Sequence, residues 1–182
     1  MNKQKILLLA VSLALQTTSF CFLANTALGQ TEEAGNMTFT ELQTKLDKLR
    51  QGGYRPVKIW SKQLGTFDST SVKPGYWVEF EKDPNRLPWV ARSGKNAEHY
   101  QQEFQKWTAQ GYTPMDVNVS CVGSQPLYCA IFVKLPNAPA CVARHNMDNA
   151  AFQKQNATCM REGYKLKAKS SCRGTFAAIW QK

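Results

Sequence analysis

The sequence predicts an α+β fold of three tandem helix–hairpin (αββ) repeats, with the helices on one face of an antiparallel sheet. Three observations predict it: three amphipathic stripes with matching start and stop signals, a Gly-Tyr pair after each stripe, and strand patterns that recur at a constant offset. One such unit cannot bury its own apolar face, so the repeats are expected to stack around one shared core.

The middle helix is predicted over residues 96–112. Asn96 can cap its first backbone N–H groups, and Gly111 can adopt the left-handed conformation that ends a helix. The apolar side chains at helical spacing are Ala97, Tyr100, Phe104 and Trp107. This stripe predicts a helix with one buried face.

The other two helices follow the same design at residues 38–54 and 148–164. Thr38 caps the first of them, and Glu41 completes a capping box. Asp148 caps the last helix. Each is followed by Gly-Tyr, as the middle helix is.

Strands are predicted at 55–61 and 75–81, and a shift of 52 positions carries the second hairpin strand and the link after it onto the next repeat. The first helix needs a shift of 58, because its repeat has a longer loop. The repeats are therefore expected at about 37–88, 89–140 and 141–182, joined by short extended links. The alternating side chains expected to point inward are Tyr76, Val78, Phe80, Tyr128, Ala130, Phe132, Phe176, Ala178 and Trp180.

Residues 1–29 read as a signal peptide: two lysines precede an apolar segment, and small residues follow at 27–29. The mature chain is then one domain, 30–182, which is expected to be secreted or periplasmic and monomeric. No later stretch is long and apolar enough to span a membrane. Residues 30–36 are polar and expected to be loose.

The formal net charge of +10 favours acidic partners such as anionic glycans or cell-wall polymers, and export argues against nucleic acid. One interpretation of the third repeat is a basic stripe that binds an anion. The alternative is a terminal repeat whose exposed strand edge is protected by lysines. Trp60 and Trp77 could add a surface for sugars, although burial is the commoner fate of tryptophan. The candidate binding residues are Lys165, Lys167, Lys169, Arg173, Arg92 and Arg144.

The cysteines predict disulfides in an exported chain. If the link packs on the helix, Trp89 and Trp107 of the second repeat touch, and so do Cys141 and Cys159, which occupy the same positions in the third. Cys121 and Cys129 flank one hairpin. We therefore expect Cys141–Cys159 and Cys121–Cys129 bonds and a free Cys172. The sequence has no CxxC pair, so a zinc site is not expected. No cofactor is expected either.

The sequence contains none of the common hydrolase or nucleotide-binding motifs. The cluster with the residue types of a hydrolytic triad is Cys159 with His145 and Asp148, but Cys159 lies on the apolar stripe. We therefore predict a protein without catalytic activity.

The repeats resemble a bacterial tandem repeat module that is also found in the N-terminal region of polyglycine hydrolases. The likeness lies in Val-Ala-Arg at 90–92 and 142–144, in Gly-Tyr at 53–54, 111–112 and 163–164, and in residues 177–180. Ser93 departs from the histidine that the module has there, whereas His145 keeps it. The resemblance implies a half-barrel-like α/β domain. In the hydrolases this domain lies beside a separate catalytic domain that resembles a serine β-lactamase. This sequence has no Ser-x-x-Lys, Ser-Asp-Asn or Lys-Thr-Gly motif, so the resemblance does not carry the catalytic activity over.

Together these features predict a secreted, non-catalytic repeat module that binds an anionic polymer, either glycan or cell wall, or a protein partner. The alternative is a small secreted hydrolase or an accessory subunit of a serine hydrolase.

Overall fold

The computed structural model describes residues 31–65 and 72–182, so the predicted signal peptide lies outside the described residues. Within them, one βαββ order occurs three times. Repeat 1 contains β1 (Glu32–Met37), α1 (Phe39–Gln51), β2 (Tyr54–Leu64) and β3 (Lys73–Lys82). Repeat 2 contains β4 (Trp89–Lys95), α2 (Ala97–Ala109), β5 (Thr113–Val122) and β6 (Gln125–Val133). Repeat 3 contains β7 (Cys141–Met147), α3 (Asn149–Arg161), β8 (Lys165–Cys172) and β9 (Thr175–Gln181).

The links between repeats are strands, which corrects the predicted αββ order. Residues 88–92 were expected to be an extended connection, yet β4 pairs antiparallel with β6, with Trp89 opposite Val133. Residues 30–36, expected to be loose, include most of β1, which pairs with β3. Sheet 1 therefore takes in residues before the predicted repeat boundary at 37.

The strands form three separate sheets with the orders β1-β3-β2, β4-β6-β5 and β7-β9-β8, where one sheet was predicted. The first strand of each sheet is interrupted by a bulge, so its side chains do not alternate regularly. Left-handed residues lie in these bulges at Asn36, Gly94 and Asn146.

The predicted helix signals are confirmed. Thr38 and Glu41 form a complete capping box. The side chains of Asn96 and Asp148 accept hydrogen bonds from backbone N–H groups in the first turns of α2 and α3. After the helices, Gly53, Gly111 and Gly163 have φ values of 72°, 81° and 84°, where glycine is favoured.

The inward side chains predicted for the hairpins are buried, apart from Phe176, which is half-buried. The opposite face of β6 is buried as well. Tyr128, Ala130 and Phe132 belong to a cluster with residues of α2. The intervening side chains Cys129, Ile131 and Val133 belong to a second cluster with three leucines of α1. The apolar interior is thus divided into clusters between successive repeats, not gathered into one core.

Polar side chains join neighbouring repeats where β2, β5 and β8 run beside one another. The backbone N–H of Ile59 donates to Oδ2 of Asp116 at 3.1 Å. One repeat further on, the N–H of Val119 donates to Oγ of Ser170 at 3.0 Å, and that hydroxyl donates to the carbonyl of Val119 at 3.1 Å. Side chains therefore connect sheets that share no backbone ladder.

The disulfide predictions were wrong. Cys121 is bonded to Cys172, with a Cα–Cα distance of 5.8 Å, so the bond joins β5 of repeat 2 to β8 of repeat 3. Cys129 is unpaired and fully buried. Its partner in the ladder is Asn118, whereas Cys121 lies three residues further along β5, opposite Pro126. The hairpin that was expected to bring Cys121 and Cys129 together therefore separates them.

Cys141 and Cys159 are also unpaired, because they lie on opposite sides of sheet 3. Cys141 packs against the cluster of repeat 2, whereas Cys159 lies in the cluster of α3 with Trp180. Trp89 and Trp107 show the same division, since they belong to different clusters. The assumption that link and helix side chains meet was therefore incorrect.

Replacing both bonded cysteines, as Cys121→Ser/Cys172→Ser, should lower the free energy of unfolding by about 4 kcal/mol. The bond closes a loop with a sequence separation of 51 residues, and the chain-entropy model gives a loss of that order. Urea unfolding of the oxidised protein and the variant measures the difference. The bond assignment fails if non-reducing peptide mapping finds Cys121 linked to Cys129.

Asp116 should make stability depend on pH. Burial raises the pKa of Asp116 to about 6, although the hydrogen bond from Ile59 and the charge of Lys58 act in the opposite direction. The pKa in the unfolded chain is about 3.9. Between these values the folded protein holds a proton that the unfolded chain has lost, so this stability is present below about pH 4 and is lost as pH rises through 6.

Asp116→Asn removes this titration and keeps an oxygen for the Ile59 N–H. From pH 4.5 to pH 7.5, the wild type should lose on the order of 2 kcal/mol of unfolding free energy relative to the variant. Urea unfolding at several pH values checks this. A difference between the two proteins that does not change with pH would contradict it.

Candidate functional site

Clefts between repeats recur at the C-terminal ends of the helices. Between repeats 1 and 2, the Arg86 cleft has a volume of about 380 Å³. It is lined by Arg50, Gly53, Tyr54, Asp83, Arg86, Leu87, Pro88, Trp89 and Tyr112. Between repeats 2 and 3, the Cys141 cleft has a volume of about 280 Å³ and is lined by Tyr112, Pro139 and Cys141, among others.

The loop after β3 holds Arg86 in place. The carboxylate of Asp83 is buried and accepts hydrogen bonds from the N–H groups of Asn85 at 3.2 Å and Leu87 at 2.8 Å. Arg86 has a φ of 47°, which non-glycine residues seldom adopt. Its guanidinium lies over Gly53, where an added Cβ would be 3.2 Å from Nη2. The corner glycine therefore leaves space for this arginine.

Aromatic rings form the floor of the Arg86 cleft. The indole N–H of Trp89 donates to the carbonyl of Tyr54 at 3.2 Å. The guanidinium of Arg50 lies 4.3 Å from the centroid of the Trp89 ring, a cation–π contact. Arg50 also pairs with Asp47 at 3.0 Å, but both side chains are exposed, so this pair is weak. The cleft thus presents two arginines beside aromatic surface.

The Cys141 cleft has the same position one repeat later but different chemistry. Thr108 occupies the position of Arg50, Ala138 that of Arg86, and Cys141 that of Trp89. Burial raises the pKa of the Cys141 thiol to about 11, so it is neutral at pH 7. The pair of arginines therefore distinguishes the Arg86 cleft from its counterpart.

A second pair of clefts lies at the N-terminal ends of α1 and α2. The Arg92 cleft, of about 270 Å³, is lined by Arg92, Ser93 and Glu103, among others. Nε of Arg92 donates to Oε2 of Glu103 at 2.7 Å, and the indole N–H of Trp107 donates to the same oxygen at 2.7 Å. Burial pushes the pKa of Glu103 upward, but these hydrogen bonds and the nearby positive charges outweigh it and lower the pKa.

The Arg144 cleft is the counterpart between repeats 2 and 3, with a volume of about 160 Å³. The ring of His145 packs edge-on against Tyr100 and Tyr128, at centroid distances of 4.8 and 5.5 Å. Burial lowers the pKa of His145, so its imidazole is neutral at pH 7. Ser93 occupies the histidine's position in the Arg92 cleft and is buried.

The structure does not gather the predicted binding residues into one stripe. Lys165 lies opposite Gln181 and Lys169 opposite Ala178, so a bulge in β8 puts the two lysines on opposite faces of sheet 3. Nζ of Lys169 lies 4.6 Å from the centroid of the Phe152 ring. Lys167, in the bulge, is exposed.

The predicted arginines are divided as well. Arg173 donates to the carbonyl of Gly123 at 2.9 Å, which ties the β8–β9 turn to repeat 2. Arg92 is engaged with Glu103, whereas Arg144 is exposed. Sequence reasoning missed Arg50 and Arg86. The available signal was that both positions carry arginine, whereas the equivalent positions one repeat later carry Thr108 and Ala138.

Trp60 and Trp77 face each other on sheet 1, with nearly parallel rings whose centroids are 6.5 Å apart. Lys58 lies over Trp60 and Lys62 over Trp77, each at 4.8 Å from the ring centroid. Lys58 also pairs with Glu79 at 3.2 Å. This face is a polar end of the array, with the tryptophans partly covered by lysines.

The residues of the hypothetical triad do not converge. Cys159 is buried beside α3, His145 packs on aromatic rings of repeat 2, and the carboxylate of Asp148 caps α3. In the described residues, no group of His, Cys, Asp or Glu could hold a metal ion. No described helix is long and apolar enough to cross a membrane.

Comparison with protein families gives three matches to the polyglycine hydrolase-like structural repeat, at residues 30–59, 86–135 and 138–182. Together they span more than half of the chain, and each contains one Gly-Tyr corner. A search of curated proteins gives no match.

Proposed function

We propose that this chain, which belongs to the polyglycine hydrolase-like structural repeat family, is a secreted, non-catalytic module that binds an anionic polymer of the glycan or cell-wall type. The observation that carries the proposal is the Arg86 cleft, in which two arginines border an aromatic floor between two repeats.

The chemistry of the Arg86 cleft suits an acidic sugar. A guanidinium presents a planar fork of N–H donors that matches a carboxylate, and Arg86 has no carboxylate within 4.0 Å in the described part of the chain. The half-buried rings of Tyr54 and Tyr112 supply apolar surface beside this fork, whereas Trp89 lies buried beneath Arg50. The net charge of +10, or +8 without the two lysines of the predicted signal peptide, adds long-range attraction for a polyanion.

The absence of catalysis is part of the proposal. The family is described as a structural repeat, and the resemblance stated above puts the catalytic domain of the hydrolases elsewhere in their chains. The half-barrel-like arrangement that the resemblance implies stays a prediction. Export likewise depends on the signal at 1–29.

A second candidate is an accessory subunit that binds a separate hydrolase. The family description favours it, because it relates these repeats to enzymes. Co-purification with a serine hydrolase from the extracellular fraction of the source organism, surviving high salt, would favour this candidate over polymer binding.

Arg86→Gln should weaken binding of a polygalacturonate oligomer about tenfold, because a charge-assisted hydrogen bond contributes about 1.5–3 kcal/mol. Binding to wild type should also weaken as NaCl is raised from about 50 to about 500 mM. Titration calorimetry measures both. The matched control is Arg161→Gln, an equal charge change on the exposed side of α3, which should leave affinity within about twofold. Equal effects of the two substitutions would reject the cleft as the site.

Two glycine substitutions distinguish an effect on the placement of Arg86 from an effect on the stability of the fold. Gly53→Ala and Gly111→Ala each put a Cβ at a positive φ and should cost about 1–2 kcal/mol of unfolding free energy. Only the alanine at 53 would approach Arg86, because an added Cβ at Gly111 has Lys134 at 3.9 Å as its neighbour.

Gly53→Ala should therefore weaken polygalacturonate binding several-fold, while Gly111→Ala leaves it unchanged. Urea unfolding measures the stabilities and calorimetry the affinities. If both alanine variants bind like wild type, the ligand does not contact Arg86 in the position described.

A further inference from the structure

The Arg92 and Arg144 clefts contain the same arginine in the same local arrangement. Nη1 of Arg92 donates to the carbonyl of Ala91 at 2.9 Å, and Nη1 of Arg144 donates to the carbonyl of Ala143 at 2.9 Å. Each guanidinium is thus hydrogen-bonded to its own strand through Nη1. The two clefts differ in the side chain that lies at the position facing the arginine: a glutamate in repeat 2 and a glutamine in repeat 3.

In repeat 2, Nε meets a carboxylate of the protein. Oε2 of Glu103 accepts from Arg92 Nε and from the indole N–H of Trp107, both at 2.7 Å. The Arg92 guanidinium also lies 4.9 Å from the Trp107 ring. In repeat 2, the arginine and the indole N–H together therefore bind a carboxylate.

In repeat 3, the carboxylate is missing from the same position. Gln155 replaces Glu103, and Cys159 replaces Trp107. The Gln155 amide donates to Sγ of Cys159 at 3.2 Å and makes no hydrogen bond with Arg144. Among the described residues, no carboxylate lies within 4.0 Å of Arg144, and its one hydrogen bond is to Ala143.

We propose that the Arg144 cleft is a second ligand site, which binds the carboxylate of an acidic sugar where repeat 2 holds the carboxylate of Glu103. The cleft walls favour a sugar over other carboxylates. Gln101 and His145 can hydrogen-bond to hydroxyl groups, and Phe104 offers an apolar face for a pyranose ring. The site lies at the opposite helix ends from the Arg86 cleft and does not depend on it.

The decisive variant is Gln155→Glu, which supplies the carboxylate that repeat 2 has at this position. The experiment uses the full mature chain with Arg86→Gln as background and titrates it with tri-galacturonate by calorimetry. Gln155→Glu should reduce the affinity at least about tenfold by occupying Arg144 internally, with no loss of thermal stability. Arg144→Gln should reduce it equally, and Arg161→Gln should not.

The reverse variant tests the same frame in repeat 2. Glu103→Gln, added to the Arg86→Gln background, should free Arg92 and raise the number of bound tri-galacturonate molecules by one. A folded Gln155→Glu variant that binds as tightly as the background would overturn the proposal. Equal affinity for penta-glutamate would overturn the assignment to a sugar and indicate a protein carboxylate.

Loss of all binding in the Arg86→Gln background, with wild-type binding intact, would leave the Arg86 cleft as the binding site and reject this second one. Binding that survives in the background but disappears with Arg144→Gln would support the Arg144 cleft. It would count against the Arg86 cleft only if Arg86→Gln alone binds as tightly, and as many ligand molecules, as wild type.

Discussion

Burial of the middle sheet on both faces is the constraint on which the rest of the structure depends. The helix of repeat 2 covers one face of β6, and the other face can leave water only by packing against α1 of the preceding repeat. Stacking is therefore required by the sequence of β6, whose buried side chains include Cys129, Ile131 and Val133. At the start of the array, the equivalent face of sheet 1 carries Trp77, Glu79 and Glu81, paired with or covered by basic side chains. The exposed end is thus made polar, as the first unit of a stacked array requires.

Stacking creates the clefts, and substitutions at equivalent positions make them different. Repeats 1 and 2 each have a left-handed glycine at the Gly-Tyr corner, yet Arg50 and Arg86 in one cleft become Thr108 and Ala138 in the other. At the N-terminal ends of the helices, Glu103 forms an ion pair with Arg92 of repeat 2, whereas Arg144 of repeat 3 has no carboxylate partner among the described residues. A backbone carbonyl holds the guanidinium of Arg92 and that of Arg144 in the same way. Under the proposal made above, a single side-chain change at the position of Glu103 or Gln155 then opens or closes a site without altering the fold.

The sequence predicted the repeat and the helices well, because caps, stripes and corner glycines are local signals. Thr38, Asn96 and Asp148 begin their helices as expected. The extra strand of each repeat was missed because a bulge at a left-handed residue breaks the alternation that identifies strands. The disulfides were wrong for a related reason: which face of a sheet a cysteine occupies depends on register, and register depends on bulges. The Arg86 cleft brings together residues from two repeats, such as Arg50 and Tyr112, and tertiary packing alone makes them neighbours.

The most direct test of the central claim is a residue-by-residue NMR titration of residues 30–182 with tri-galacturonate at low salt. If stacked repeats create anion sites at their junctions, the amide shifts should concentrate at Gly53, Arg86, Tyr112 and around Arg144. Shifts confined to the Trp60 and Trp77 face of sheet 1, or no shifts at all at millimolar ligand, would contradict the account.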